Sequence, residues 1–506
     1  MSFKITFIGA GSIGFTRRLV RDLQTVPEFN GIEICLQDTS KRNLGMIQKL
    51  IAKDLKANGA KTTLSATTNQ REALTGSKYI FNTARVGGLE AFGDDIDIPL
   101  RYGIDQCVGD TICAGGIMYG QRGVSMILDV CKDIREVAAP DAWLLNYANP
   151  MAMMTWAANT FGGVNCVGLC HGVQGGHGLI AKVLKLEKKD VDIICAGINH
   201  QTWYTRVLAK GKPVTTERLL KAMEADPGTA KSEKVRIDML RRFGCFSTES
   251  NGHLSEYLPW YRKRSSEIKN WIGMDSWIHG ETGGYLRVCT EGRNWFKTDF
   301  PNWLKGPAWT FDGSERSEEH GSFILEGLET GRVYRGHFNR INNGTIANLP
   351  DDCVIEAPGY VDRNGMSMPL VGDLPLGCAA VCQQSVNVQR LSVHAAVTGD
   401  IDLLRQAMLL DPLTGAVANP PEIWQMVDEM LVAQAKWLPQ YRKAISQAKK
   451  RLAGKRIKTK ATKGAARVKT KSVAEMQRNA VVARKNAQAA DKGNMTSDKR
   501  KKSKAA

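Results

Sequence analysis

The sequence predicts an α/β protein whose first part is a doubly wound parallel sheet. An apolar run from Phe3 to Ile8 leads directly into the glycine turn Gly9-Ala10-Gly11-Ser12-Ile13-Gly14. A second apolar run ends at Asp38, and apolar segments then alternate with amphipathic ones as far as about residue 200. Because parallel strands need a crossover connection, usually a helix, this alternation is typical of a doubly wound, Rossmann-like sheet.

The glycine turn predicts a dinucleotide site. Gly9 permits a tight turn, Gly11 lets backbone amides approach a pyrophosphate, and Gly14 allows the helix to pack closely on the strand. Asp38 stands about where a ribose 2′-hydroxyl needs an acceptor, and its carboxylate would repel the 2′-phosphate of NADP. The alternative is an ordinary turn between a strand and a helix. We predict NAD⁺ as the cofactor, held by Gly9, Gly11, Ser12, Gly14 and Asp38.

Two further strands are predicted to end at the ligand-binding edge of this sheet. The strand over 78–84 runs into a loop containing Gly87, which either closes over the pyrophosphate or forms a plain turn. The strand over 143–147 stops at Asn149-Pro150, and the proline keeps Asn149 out of the α region. We therefore expect Gly87 and Asn149 to contact the cofactor.

Cys170 and His200 each follow an additional apolar strand. Residues 164–169 end at Cys170, and residues 191–198, interpreted as a strand of the same parallel kind, end just before His200. Because strand ends on one edge of a sheet lie close together, a thiol and an imidazole here are suitably placed to hold a metal. A buried cysteine and a hydrogen-bonded histidine are the alternative.

Beyond residue 200 the sequence predicts a mixed α+β domain, residues 201–447, for substrate binding and oligomerisation, with residues 421–447 as one long closing helix. Residues 247–260 combine hydroxyl, imidazole, carboxylate and aromatic groups. Such a mixture suits a sugar, because polar groups bind hydroxyls while apolar rings stack on the sugar. A capped helix start followed by core aromatics is the alternative.

The excess of positive charge is confined to the end of the chain. Of 506 residues, 69 are Lys or Arg and 51 are Asp or Glu, but residues 449–506 hold 20 of the former and only three of the latter. The remainder is nearly neutral, which argues against a nucleic-acid-binding body. Residues 448–506 are predicted to be a low-complexity tail, disordered or at most loosely helical. This tail either contacts polyanions without specificity or is a solubilising extension.

The sequence also predicts the cellular compartment. No apolar run reaches the roughly 18 residues of a membrane span, and Met1 leads directly into a strand without a signal peptide. The 12 cysteines are scattered without a C-x-x-C pair. We expect a cytoplasmic protein without membrane contact, in which most cysteines belong to the core.

Together these segments resemble the NAD-dependent family 4 glycoside hydrolases, and within them the melibiase-type α-galactosidases. The resemblance covers about residues 3–440. Members are commonly homodimers or homotetramers. The residues that carry the resemblance are the GAGSIG turn, Gly87-Gly88, Asp110-Thr111, Gly115-Gly116, Asn146 to Met153, Gly168 to His171, Ala196 to His200, Thr248 to Ser250 and Glu256-Tyr257.

The resemblance implies hydrolysis of small α-glycosides by oxidation, elimination and addition. In this family NAD⁺ takes a hydride from C3 of the sugar, and a divalent metal, Mn²⁺ in most members, polarises the ketone. The acidified C2 proton is removed, the glycosidic oxygen leaves C1, water adds, and the hydride returns. NAD⁺ is thus a catalytic cofactor, and the family is an exception to hydrolysis by paired carboxylates.

Roles for individual residues follow from matching positions. The resemblance implies Cys170 and His200 as metal ligands, with Cys170 part of the catalytic set. Tyr257 is implied as the C2 base, and Asp110 as the acid or a substrate contact near the leaving group. A tyrosine base needs a lowered pKa, which a nearby metal supplies. The substrate contacts implied are Asn149, for which the resemblance also implies reach to the metal, His171, Asn199 and His253.

One departure from the family pattern concerns the substrate. The melibiase type usually has Cys-His-Ser at the metal strand, whereas this chain has Cys170-His171-Gly172, a variant associated with α-uronides. Gly172 removes a hydroxyl and opens space or bare amides for a carboxylate, and Arg264 is a candidate partner for a uronate. We favour α-galactosides, with α-galacturonides or α-glucuronides as the alternative.

Two other function classes remain open. A lactate- or malate-type dehydrogenase would use the same N-terminal sheet but consume NAD⁺ stoichiometrically. A nucleic-acid-binding protein with a vestigial enzyme body would depend on its basic tail. We expect hydrolysis to survive removal of residues 449–506.

Overall fold

The computed structural model describes residues 2–272, 279–454, 456–459 and 462–483. Thirteen strands of this described part form one sheet. In chain order, β1 to β13 are Lys4–Ile8, Glu33–Gln37, Thr63–Thr67, Ser77–Asn82, Trp143–Asn146, Asn165–Gly168, Val191–Ile198, Gln201–Ala209, Lys212–Pro213, Phe246–Ser247, Tyr334–Ile341, Val354–Asp362 and Gly365–Ser367.

Helices cover both faces of the sheet. Among the described residues, none of them combines the length and apolar character that a membrane span requires. A last helical stretch covers 473–483. In chain order, α1 to α19 are Ile13–Gln24, Lys41–Ala57, Gln70–Leu74, Gly88–Leu100, Cys113–Val137, Met151–Thr160, Gly172–Val183, Thr216–Ala225, Pro227–Ser232, Lys234–Phe243, Asn251–Glu256, Ser265–Trp271, Gly284–Lys305, His320–Thr330, Leu376–Thr398, Ile401–Leu410, Pro412–Val417, Pro420–Ala433 and Arg442–Ala453.

Strands β1 to β6 form the predicted parallel sheet. Their order is β3-β2-β1-β4-β5-β6, and every neighbouring pair is parallel. In this order the sheet grows in opposite directions from β1, which leaves a crevice at the carboxyl ends of β1 and β4 where ligands bind in such folds. The predicted fold class is confirmed.

The core lies on both faces of the sheet because side chains alternate along each strand. In β5, Leu144 packs in the cluster that contains side chains of α5, α6 and α15, whereas Leu145 packs in the cluster with side chains of α1, α2 and α14. In β4, Ile80 and Phe81 divide in the same way. The parallel strands are therefore covered on both sides, as their continuous apolar runs require.

The other half of the sheet is antiparallel. Strand β6 pairs with β11, and β12, β7 and β8 follow as successive antiparallel neighbours. The prediction that residues 191–198 form a strand of the same parallel kind is therefore wrong. An apolar run indicates a buried strand but carries no information about its direction, which depends on partners distant in sequence.

The register nevertheless brings the ends of β6 and β7 together. One residue from each of four neighbouring strands lies on a single row across the sheet. Cys170 follows one end of this row by two residues, and His200 follows the other end by three. The row consists of Gly168, Asn339, Glu356 and Gly197.

The end of the chain differs from two predictions. Residues 421–447 are not one helix, because α18 ends at Ala433 and Pro439 cannot donate a helical hydrogen bond. Residues 448–453 belong to α19, and 462–483 contact the body, so part of the predicted tail is ordered on the surface. Residues 484–506 lie outside the described part.

A buried ion pair joins α4 and α5 to Gln434, which directly follows α18. Both the Asp95 and the Arg122 side chains are 0% exposed, with Nη2 to Oδ2 at 2.6 Å and Nη1 to Oδ1 at 2.9 Å. The Gln434 amide donates to Asp95 Oδ1 at 2.7 Å and accepts from Arg122. Because both charges are fully bonded, removing one leaves the other buried and uncompensated.

The substitution Asp95→Asn should lower the free energy of unfolding by about 3–5 kcal/mol, the range for breaking a buried pair. Urea denaturation followed by circular dichroism measures the change. Glu90→Gln, which removes the exposed partner of Lys436, is the matched control and should leave the urea midpoint nearly unchanged. Equal midpoints for the two variants would contradict the assignment.

Candidate active site

The glycine turn lies where β1 meets α1, at the crevice of the parallel sheet. Gly9 has φ of +79°, and a Cβ there would lie 2.5 Å from the Ala84 main chain, so only glycine fits. The Gly11 amide donates to Asp38 Oδ2 at 2.7 Å. A Cβ at Gly14 would meet no atom within 4 Å, so the predicted reason for that glycine, close helix packing, is wrong.

Other predicted cofactor contacts border the same crevice. Ser12 is the N-cap of α1, but its side chain makes no capping bond. Gly87, with φ of +84°, is the N-cap of α4 after β4. Two helix N-termini thus begin beside the crevice, and their backbone amides and dipoles favour an anionic group such as a pyrophosphate.

Cys170, His200 and Glu249 form a compact group of potential metal ligands. Their donor atoms all lie within 4.8 Å of one another. Glu249 Oε2 is 3.4 Å from Cys170 Sγ and 3.4 Å from His200 Nε2. A thiol, an imidazole and a carboxylate converging in this way suit a first-row divalent metal.

His200 is held in one orientation by a chain of polar side chains. Its Nδ1 lies 2.7 Å from Thr111 Oγ1, which donates to Asp110 Oδ1 at 2.9 Å. Since Thr111 donates its only hydroxyl hydrogen to Asp110, Nδ1 must carry the proton that Thr111 accepts, and Nε2 keeps its lone pair. Nε2 is the atom that points toward Glu249. This tautomer is the one that a metal ligand requires.

The same chain brings several predicted residues together. Asn149 Nδ2 donates to Asp110 Oδ2 at 2.8 Å. The His253 ring is 4.7 Å from the His200 ring, and the Tyr257 hydroxyl is 3.5 Å from His200 Nδ1. Asp110, His200 and His253 form a second group of potential ligands on the described residues.

Two predicted substrate contacts lie toward the margins of this group. Asn199 is buried and donates to Glu356 Oε2 at 3.4 Å, below the cluster on the central row of the sheet. The His171 side chain is 67% exposed and contacts Glu319 Oε1 at 3.3 Å. The hydrogen bond to Glu319 raises the pKa of His171 to about 9.

Burial controls the protonation of the ligand group. Burial lowers the pKa of His200 to about 4, so its imidazole is neutral near pH 7. Burial raises the pKa of the Cys170 thiol well above its ordinary value, and the Glu249 carboxylate adds to this. Metal binding must therefore displace the Cys170 proton.

Tyr257 does not have the lowered pKa that a base needs. Burial raises the pKa of its phenol well above the ordinary value, and the Asp110 and Glu256 carboxylates act in the same direction. The phenol is thus protonated unless a positive charge is added nearby.

Sequence reasoning missed three residues of the site. The sequence indicates Glu249 only as part of a possible sugar-binding segment, and Thr111 only as the neighbour of Asp110. Glu356 lies in β12, 157 residues after Asn199, and no local pattern distinguishes it from other strand residues. Only the sheet register places it beside Asn199.

The site and the fold can be compared with known proteins. Residues 4–186 match the family described as Family 4 glycosyl hydrolase, and residues 195–414 match the Family 4 glycosyl hydrolase C-terminal domain. The chain belongs to family 4 of the glycosyl hydrolases. The resemblance inferred from the sequence is thereby confirmed, and residues after 414 lie outside both matched regions.

Curated relatives in this glycosyl hydrolase family differ in substrate. An alpha-galactosidase of Rhizobium meliloti (strain 1021) is 60% identical over 94% of this chain and 97% of its own length. An alpha-galactosidase of Bacillus subtilis (strain 168) is 33% identical over 87% of this chain and 100% of its own length. An alpha-galacturonidase of Lachnoclostridium phytofermentans is 26% identical over 86% and 97%.

Solved structures in family 4 share the fold. A 6-phospho-alpha-glucosidase from gut microorganisms, in complex with NAD and glucose-6-phosphate, has a TM-score of 0.72 at 24% identity over 87% of this chain and 99% of that one. A 6-phospho-beta glucosidase from Thermotoga maritima, with manganese, NAD⁺ and glucose-6-phosphate, has a TM-score of 0.70 and is 21% identical in sequence. The match covers 86% of this chain and 99% of that one.

The position of Glu249 explains why residue 172 of this chain is a glycine. A Cβ at Gly172 would lie 2.5 Å from Glu249 Oε2, and the Gly172 amide donates to Cys170 Sγ at 3.4 Å. The predicted space and bare amide are therefore already occupied. Arg264, the predicted partner of a uronate, has a 71% exposed side chain and contacts Glu267 at 3.5 Å.

Replacing Thr111 by Val should weaken the binding of a divalent cation such as Mn²⁺ by about 10- to 100-fold, the usual effect of losing a hydrogen bond that orients a histidine ligand. Isothermal titration calorimetry measures the affinity. Thr111→Ser keeps the hydroxyl and should bind as the wild type does. Equal affinity for Thr111→Val and Thr111→Ser would show that the hydroxyl does not orient His200.

Proposed function

We propose that this protein hydrolyses α-galactosides with NAD⁺ and Mn²⁺ as cofactors. The observation that carries the proposal is the group of Cys170, His200 and Glu249 beside the chain from Thr111 to Asp110. The 60% identity to an alpha-galactosidase over 94% of the chain supports the galactoside. We further propose, from the family resemblance, a cytoplasmic homodimer or homotetramer.

In this proposal one group of residues holds the dinucleotide and another holds the metal. When bound, NAD⁺ supplies a reversible hydride acceptor and Mn²⁺ supplies a Lewis acid. The glycine turn and Asp38 would hold the dinucleotide, since the turn stands at the crevice beside the N-terminus of α1. Cys170, His200 and Glu249 would hold the metal through sulfur, nitrogen and oxygen.

The remaining residues would orient the sugar and move protons. Asn149 donates to Asp110, which leaves the carboxylate of Asp110 fixed toward the site as a contact or acid near the leaving group. Tyr257 is the candidate that takes the proton from C2 of the sugar. Because burial raises its pKa, Tyr257 can act as a base only with a positive charge at the neighbouring ligand group. His253 and Asn199 are proposed to bind hydroxyls.

The surroundings of Gly172 favour a neutral sugar over a uronate. The carboxylate of Glu249 fills the space that the missing side chain leaves. Burial raises the pKa of Glu249, but the neighbouring imidazoles, among them His171 with its raised pKa, lower it by more, so the carboxylate is an anion near pH 7. An anion in this position repels the carboxylate of a galacturonide or glucuronide.

The proposal predicts that p-nitrophenol is released from p-nitrophenyl α-galactoside only when NAD⁺, Mn²⁺ and a thiol reductant are all present. No net NADH should accumulate, since the hydride returns to the sugar. Absorbance at two wavelengths measures both products. Release without NAD⁺ or metal would refute the mechanism, and NADH formed in proportion to substrate would favour the dehydrogenase alternative.

Glu249→Gln should raise the rate on p-nitrophenyl α-galacturonide relative to the galactoside by about tenfold, because removing a repulsion of about 1.4 kcal/mol changes a ratio tenfold. The ratio of kcat/KM values is the readout, since loss of a metal ligand would lower both rates. Glu318→Gln, at an exposed carboxylate paired with Lys188, is the control. An unchanged ratio would contradict the role of Glu249 in selectivity.

A further inference from the structure

A segment near the end of the chain, residues 462–471, lies along the body of the protein; we call it the strap. Ala466 is only 1% exposed and packs with Ile268 and Ile272. Its amide donates to the Thr282 hydroxyl oxygen at 3.2 Å, and its carbonyl accepts a hydrogen bond from the Thr282 amide at 3.2 Å. The strap is therefore attached through its main chain as well as through an apolar contact.

The strap also completes the hydrogen bonds of a buried carboxylate. Asp105 is 5% exposed. It accepts from Arg262 Nη2 at 2.8 Å and from Thr282 Oγ1 at 2.7 Å, and its Oδ2 accepts from the Ala465 amide at 2.8 Å. A buried carboxylate is costly unless its oxygens are bonded, so loss of the Ala465 amide would weaken this arrangement.

Asp105 begins the loop that reaches the candidate active site. The amides of residues 107–109 all donate to the buried Glu256 carboxylate, at 2.8, 3.0 and 2.9 Å. The loop ends at Asp110 and Thr111, which contact Asn149 and His200. The loop is thus held at its start by the strap, at its centre by Glu256 and at its end by the site.

An ion pair, a main-chain hydrogen bond and the backbone conformation of Gly464 hold the strap in this position on the body. Arg467 contacts Asp97 of α4 at 2.6 Å, and the Lys471 amide donates to Glu291 of α13 at 2.7 Å. Gly464 has φ of +84°, and a Cβ there would lie 2.4 Å from Thr282 Cγ2. A residue other than glycine at 464 would therefore displace the strap from Thr282.

We propose that the strap is a positioning element for catalysis: through Asp105 it fixes the loop 105–111 and thereby the placement of Asp110 and Thr111. This inference rests on the proposed hydrolysis for its kinetic part only. It revises the expectation that the chain after residue 449 is dispensable for hydrolysis. The strap lies beyond residue 414, where the match to the family ends.

The test introduces Gly464→Val into the full-length chain. Displacing the strap should lower kcat on p-nitrophenyl α-galactoside by about 10- to 100-fold, as expected when catalytic groups shift by about 1 Å. KM and the affinity for NAD⁺ should stay within about twofold. The affinity for Mn²⁺ should fall together with kcat, because the loop carries Thr111, which orients His200. Hydrogen–deuterium exchange at the amides of residues 107–109 should become at least tenfold faster.

Lys463→Val, one residue away at an exposed position, is the matched control and should behave as the wild type does. Ala466→Asp, which puts a charge into the apolar contact, is the second variant, so a folding failure of one leaves the other as the test. Unchanged exchange at 107–109 in a folded variant would overturn the proposal, as would equal losses of kcat and of NAD⁺ affinity. If the wild type does not hydrolyse galactosides, the proposed function fails, and the exchange result still decides whether the strap holds the loop.

Discussion

The structure depends on one row of residues that joins two kinds of sheet. Gly168 of the parallel half and Gly197 of the antiparallel half are connected through Asn339 and Glu356. This connection brings Cys170 and His200 to one place although their strands do not pair with each other. A shift of either strand by one residue would turn its side chains to the opposite face and separate the ligands.

Buried carboxylates dominate the site, and each is held in its own way. Glu256 is bonded by three backbone amides, and Asp105 by a guanidinium, a hydroxyl and an amide. Asp110 accepts from Asn149 and Thr111. Glu249 instead faces a thiol and an imidazole. That contrast distinguishes a carboxylate available to a metal from those of Glu256 and Asp105, which are occupied in holding the loop.

What the sequence could predict depends on how far apart along the chain the interacting residues lie. The glycine turn and Asp38 lie within forty residues, and their order alone indicates a β-α-β unit. The reason for Gly14 was wrong because a glycine in a motif need not have a neighbour to avoid. The direction of β7 was wrong because its partners, β8 and β12, include a strand about 150 residues away. Glu356 could not be assigned to the site from the sequence for the same reason.

The sequence by itself determined the fold class and the family, since these depend on short motifs and local periodicity, and it predicted most of the residues that the structure brings together in the candidate site. Tertiary structure alone decided which carboxylate reaches Cys170, which tautomer His200 adopts, and where residues 462–471 lie. Each of these depends on contacts between residues that lie 79 to 360 positions apart in the sequence. No local pattern encodes such a contact, because it is set by strand register and packing across the whole chain.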